Sequence, residues 1–140
     1  MTDFQAAAGR QGRQFAEQCD DALKNLGFEL TGRMRLNEIG VEIDQASAAP
    51  SGRVIWFEYK GSIRGAIPGL RRTDTTKKAI ANGALIRTLG DAPPFVVLTS
   101  HLPESGSARA MLRSAVEAGY ISAAVCIYNP GWEDELRQLF

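Results

Sequence analysis

The segment Val54-Ile55-Trp56-Phe57-Glu58-Tyr59-Lys60 constrains this chain more than any other. Its β-branched and aromatic residues read as a strand. In an extended strand alternate residues share a face, so Ile55, Phe57 and Tyr59 project one way and Trp56, Glu58 and Lys60 the other. Large apolar groups on both faces read as an interior strand, covered on each side. Yet Glu58 and Lys60 share one of those faces, and a charge so placed is costly unless it is paired or binds a cation.

Around this strand the chain reads as αβββαβαβα. Phe15, Cys19, Ala22 and Leu26 fall at helical spacing between Gly12 and Leu26, with Gly27 where a helix-terminating glycine belongs. Arg10, Arg13, Glu17, Asp20 and Lys24 collect on the opposite side of that helix, which faces solvent or a ligand. Phe28–Met34 and Gly40–Asp44 predict two short strands, and the turn-rich segment Ala46–Gly52 joins the second of them to Val54–Lys60 as a hairpin. An irregular loop with Gly65, Pro68 and Gly69 leads to a helix that starts near Thr73 or Asp74 and ends before Gly90. Phe95–Thr99, bounded by prolines, reads as a central buried strand; helix Ser107–Ala118, strand Ala123–Tyr128 and helix Trp132–Phe140 follow.

Three consecutive strands followed by alternating helices and strands predict an α/β fold, one mixed sheet with helices on its faces. At 140 residues this is a single domain spanning 1–140. Hydrophobic residues at 44% and charged ones at 23% exclude a disordered, collagen-like or coiled-coil chain. No apolar run is long enough for a membrane span and residues 1–30 lack a signal-peptide core, so a cytoplasmic, membrane-free protein is expected. Cys19 and Cys126 are far apart, with no CxxC or Cys/His cluster, and read as buried small hydrophobes without disulfide or zinc.

The hairpin brings Asp44, on the preceding strand with Glu42, beside Glu58. Two carboxylates and the Lys60 amine then converge. Hard oxygen ligands with no Cys or His nearby favour Mg²⁺ or Mn²⁺, held with several waters and open to a phosphate oxygen. Such an ion can polarise a phosphodiester and acidify a bound water, while the lysine orients that water or offsets charge building on phosphorus oxygens. The bland reading is a turn aspartate beside a same-face ion pair.

These residues resemble the PD-(D/E)XK nuclease superfamily. Gly40-Val41-Glu42-Ile43-Asp44, thirteen residues between Asp44 and Glu58, and Val54 through Lys60 carry the resemblance. It is similar to the small branch containing archaeal Holliday-junction resolvases and their bacterial endonuclease-like relatives, whose glycine-containing first helix is echoed by Gly9, Gly12, Ala16 and Gly27-Phe28. The resemblance spans residues 9 to 90 and implies a restriction-endonuclease-like fold and hydrolysis of DNA. It implies Asp44, Glu58 and the backbone carbonyl of Tyr59 as metal ligands and Lys60 as the catalytic lysine. A glutamate on the first helix, common in the family, has no counterpart directly after Gly12, where Arg13 stands; Glu17 is the nearest candidate.

Sixteen basic and sixteen acidic residues cancel, so a nucleic-acid surface must come from their distribution. From Lys60 to Arg87 there are seven basic residues and one acid, Asp74. Arg64, Arg71 and Arg72 on the Gly-rich loop, with Lys77 and Lys78 in the next helix, are the expected phosphate contacts. A plain alternative is that Lys77 and Lys78 pair with Asp74 at helical spacing. Residues 91–140, with three basic and six acidic residues, complete the core or a dimer interface. His101, the only histidine, reads as a polar loop residue. The expected activity is thus Mg²⁺- or Mn²⁺-dependent DNA cleavage, suited to a homodimer or to a partner protein that supplies sequence choice. Its rivals are a non-catalytic nucleic-acid-binding or assembly subunit and an RNA-cleaving nuclease.

Overall fold

The computed structural model describes residues 3–61 and 69–140. In chain order the elements are α1 (Asp3–Asn25), β1 (Glu29–Leu36), β2 (Val41–Ala48), β3 (Val54–Lys60), a 3₁₀ turn (Gly69–Arg71), α2 (Thr73–Arg87), β4 (Phe95–Thr99), α3 (Gly106–Glu117), β5 (Ala123–Cys126) and α4 (Trp132–Arg137). Among the described residues the strands form one five-stranded sheet of order β1-β2-β3-β4-β5, antiparallel from β1 to β3 and parallel from β3 to β5. The parallel half follows from chain length between strands: α2 and α3 supply the long crossovers, whereas tight turns join β1 to β2 and β2 to β3. The expected element order is present, with the 3₁₀ turn added. The central strand is β3 and not Phe95–Thr99, although all five residues of the latter are buried.

Alternation along β3 builds two apolar layers. Ile55 and Phe57 pack with Phe15, Cys19 and Leu23 of α1 and Leu136 of α4. Trp56 turns to the other face, against the layer of Leu70, Ala79 and Ile86. Phe15 and Phe57 are almost fully buried, each contributing roughly 1.5–3 kcal/mol. Cys19 and Cys126 are buried and free, as expected. Among the described residues no helix is long and apolar enough to cross a membrane.

The main departure from simple alternation lies in β2. Ala46–Ala48, expected in the hairpin turn, belong to the ladder, with Ala46 opposite Trp56 and Ala48 opposite Val54. The turn itself is tighter, closed by the Ala49 N–H donating to the Arg53 carbonyl at 2.8 Å. Against β1 the register shifts twice: Leu30 faces Ser47, Gly32 faces Ala46 and Met34 faces Ile43. The second shift inserts one extra residue into β2 between Ile43 and Ala46. Val41 and Ile43 therefore pack with the α2 layer, while Gln45 turns toward α1. A bulge of this kind re-aims the side chains beside it, and Asp44 sits in it.

Two glycines fix the chain at the C-terminal end of β3. A Cβ on Gly61 would lie 2.3 Å from Ser100 Oγ and 2.7 Å from the Ser100 nitrogen. Gly69 has φ +60°, and a Cβ there would lie 2.5 Å from Thr99 Oγ1 and 3.1 Å from the Lys60 carbonyl. Only glycine lets the chain leave and return this close to the ends of β3 and β4.

Candidate active site

Beyond the Gln45–Phe57 pair the ladder between β2 and β3 stops. The Tyr59 N–H would otherwise face an open edge, and it donates instead to Asp44 Oδ2 at 2.8 Å. A carboxylate thus replaces a strand carbonyl, and the Tyr59 carbonyl, on the same edge, lies past the last ladder pair. On the other edge Thr99 Oγ1 donates to the Lys60 carbonyl at 2.6 Å, which ties β3 to β4 at the level of the charged residues.

Tyr59 faces α1 and donates its hydroxyl to Asp20 Oδ1 at 2.6 Å. Gln45 Nε2 donates to the same oxygen at 3.1 Å, and Gln45 Oε1 accepts the Gly32 N–H at 2.5 Å. One carboxylate of α1 is thereby wired to all three antiparallel strands. These residues, with Gly12, Phe15, Ala16 and Asp44, border a cavity of about 390 Å³. A Cβ at Gly12 would meet nothing within 4 Å, so the glycine supplies open space there. Tyr59→Phe is expected to lower stability by about 1 kcal/mol, a fall of a few degrees in Tm, because Asp20 loses one of its two donors; thermal melts of the two proteins check this.

Glu58 points the opposite way, toward α2. It is 4% exposed, and its Oε1 accepts a 2.7 Å hydrogen bond from Asn82 Nδ2. Lys60 Nζ stands 3.7 Å from the same oxygen. Glu58 Oε2 is buried and has no hydrogen-bond partner among the described residues. The four central groups of the sequence reading are thus arranged around one strand end: Asp44 and Tyr59 border the cavity on the α1 side, and Glu58 and Lys60 lie against α2.

The electrostatics couple the two sides. Burial raises the pKa of Asp44, opposed by the Tyr59 N–H, Lys60 and Arg33. Burial also raises that of Glu58, opposed by Lys60 and Asn82 and reinforced by the Asp44 charge. Lys60 therefore acts on both carboxylates, and each holds its proton more tightly than a carboxylate in water. The Tyr59 phenol is pushed strongly up by burial and by Asp20.

No family model, curated protein or solved structure matches this chain.

The remaining expected site residues are placed less uniformly. Glu17 is exposed and does not border the cavity; the α1 carboxylate that does is Asp20, expected with Glu17 on the side facing solvent or a ligand. Helical spacing puts Gly12, Ala16 and Asp20 on one face, and that file of two small residues and an acid was the available signal. Glu42 alternates with Val41 and Ile43 as Asp44 does; it is exposed, pairs with Arg33 at 3.3 Å, and its charge acts on Asp44. Asn82 had no sequence signal, since nothing in one chain tells which residue of α2 lies over Glu58.

Arg64 lies outside the described residues. Arg71 and Arg72 are exposed and paired with Glu104 at 3.5 Å and Asp74 at 3.3 Å. Such surface pairs are worth little and exchange readily for a phosphate. Asp74 is thus engaged by Arg72; among the described residues no ion pair involves Lys77 or Lys78, both exposed. The two lysines part company: Lys77 lines a groove with Ile80 and Met111, while Lys78 stands one turn before Asn82 on the Glu58 side of α2. His101 contacts Ser100 Oγ through Nδ1 at 2.7 Å, and burial, with Arg71 nearby, lowers its pKa.

Among the described residues no three His, Cys, Asp or Glu side chains cluster closely enough to enclose a metal ion. Oxygen donors of the kind Mg²⁺ or Mn²⁺ takes together with water are present at this strand end in Asp44, Glu58 and the Tyr59 carbonyl. Glu58 Oε2, buried and without a partner among the described residues, is an oxygen a cation could satisfy.

Proposed function

We propose that this chain is a metal-dependent endonuclease that hydrolyses phosphodiester bonds in DNA, on a restriction-endonuclease-like version of its α/β fold. The observation that carries this reading is Glu58 Oε2, a carboxylate oxygen buried without a partner among the described residues, beside Lys60 and within electrostatic reach of Asp44. Leaving a charged oxygen unsatisfied costs a fold several kcal/mol, and a divalent cation removes that cost. The resemblance of the Asp44, Glu58 and Lys60 pattern to PD-(D/E)XK nucleases supports the same reading.

In this reading Asp44 Oδ1, Glu58 Oε2 and the Tyr59 carbonyl hold Mg²⁺ or Mn²⁺. When bound, the ion polarises the phosphate and lowers the pKa of a coordinated water. The chain's own residues do the rest. The Tyr59 N–H holds Asp44 in place, and the Asp20–Tyr59–Gln45 network holds Tyr59. Lys60 Nζ hydrogen-bonds the attacking water or the phosphate oxygen on which charge builds. In this reading Lys78, Arg71 and Arg72 hold phosphates flanking the scissile one.

The test is cleavage of labelled duplex, branched and single-stranded DNA, with an RNA control, in Mg²⁺, Mn²⁺ and EDTA. Cutting of DNA in either metal and none in EDTA is the expected result; metal-independent binding without cutting would overturn it. That second outcome belongs to a non-catalytic nucleic-acid-binding subunit, a reading favoured by one observation, the lack of a third clustered acidic ligand among the described residues. In both readings DNA affinity falls as salt rises, and Lys78→Ala is expected to reduce the slope of log K against log[salt] by about 1. A fluorescence-anisotropy titration at several salt concentrations measures this.

A further inference from the structure

The two oxygens of Glu58 are chemically equivalent, yet the fold treats them differently. Oε1 receives both available donors, Asn82 Nδ2 at 2.7 Å and Lys60 Nζ at 3.7 Å. Oε2 receives none among the described residues and is out of reach of solvent. Of the two donors only Asn82 is within hydrogen-bond distance; Lys60 is beyond it and contributes as a charge. Asn82 therefore decides which oxygen is bound and which is left open.

Asn82 is also an unexpected residue for its place. It is half-buried in the middle of α2, between Ala79 and Ile86, both packed in the core. Asparagine is a poor helix former, because its side chain competes for nearby backbone groups. It has no cap to make at this position, and its one hydrogen bond among the described residues goes to Glu58. If that bond served only to satisfy a buried acid, the partner oxygen would remain as large a cost as before. Its effect is directional: it engages one oxygen of the side chain and leaves the other bare.

We propose that Asn82 is a positioning residue, which orients Glu58 so that Oε2 is presented to the divalent cation. This rests on the assignment of Glu58 as a metal ligand made above. An outer partner of this kind governs metal affinity, typically by 10- to 100-fold, whereas a purely structural asparagine would govern stability alone.

The experiment is a calorimetric titration of the protein with Mn²⁺, without DNA, for the wild type, Asn82→Ala, Asn82→Leu and Asn82→Gln, with a thermal melt of each. Asn82→Leu fills a similar volume with a better helix former and keeps the test open if the alanine variant does not fold. The expected result is a Mn²⁺ Kd raised about tenfold or more in the folded alanine and leucine variants. Partial recovery is expected in Asn82→Gln, which keeps the amide donor on a longer stem. Cleavage by the leucine variant should be restored by raising Mn²⁺, which would not repair a loss of structure. Wild type and variants that bind Mn²⁺ equally would overturn the role of Asn82 and leave the metal site standing. A wild type that binds no Mn²⁺ would overturn both.

Discussion

Lys60→Ala is expected to slow phosphodiester cleavage by about 10³-fold or more while the protein stays folded, a loss of roughly 4 kcal/mol of transition-state stabilisation. Lys60 is the cation that acts on both Asp44 and Glu58, and its side chain is 25% exposed, enough to meet a substrate. No other described cation stands between these carboxylates: Arg33 is turned to Glu42, and Lys78 lies a helical turn away from Asn82. Glu58→Ala and Asp44→Ala should lose cleavage to a similar degree, since each removes a donor of the metal set. Glu42→Ala is the matched control. It lies on the same strand two residues from Asp44, is exposed and paired with Arg33, and reaches Asp44 only as a screened charge, so its rate should stay within about twofold of wild type. Single-turnover cleavage at saturating Mn²⁺ measures all four. Full activity in Lys60→Ala would sink the assignment of its amine to the reacting phosphate.

The sheet was legible because its strands differ in kind. Val54–Lys60 and Phe95–Thr99 carry apolar residues on both faces, which only a covered strand can accept, and both were placed at their observed limits. β2 was cut short because Gln45, Ala46 and Ser47 look like turn residues; each is buried in the ladder, where Gln45 and Ser47 find hydrogen-bond partners. Asp44, Glu58 and Lys60 could be singled out because charge in an interior strand needs a reason. What surrounds them could not. The bulge that holds Asp44 and Gln45 depends on pairing with β1, a contact between distant segments. Asn82 on Glu58 and Asp20 on Tyr59 likewise join helices to strands 24 and 39 residues away. Local spacing constrains neither.

Glu58→Gln is expected to make the metal-free protein more stable at pH 7–8, by about 1–3 kcal/mol, or a Tm rise of several degrees. Burial raises the pKa of Glu58 above the ordinary value of 4.5, and that of Asp44 likewise above 3.8. At these two groups the folded state binds more protons than the unfolded one, so their contribution to stability is fully present at acid pH and is lost as pH rises from about 4 through the folded pKa values. A glutamine cannot ionise, keeps an oxygen for Asn82, and replaces a buried charged oxygen by a neutral amide; the cost of desolvating that charge disappears. Lys60, partly exposed, can turn to water. The variant should therefore show a shallower fall of Tm between pH 4 and 8 than the wild type, with the Asp44 contribution remaining. Metal should reverse the order. At a hundredfold excess of Mn²⁺ over its Kd the wild type gains about 2.7 kcal/mol, and Glu58→Gln, having lost a ligand, gains little. Thermal melts across pH, with and without Mn²⁺, decide the matter. A wild type already more stable than Glu58→Gln at pH 8 in EDTA would show that Glu58 Oε2 carries no cost in the fold, and with that the argument for a cation beside it would fail.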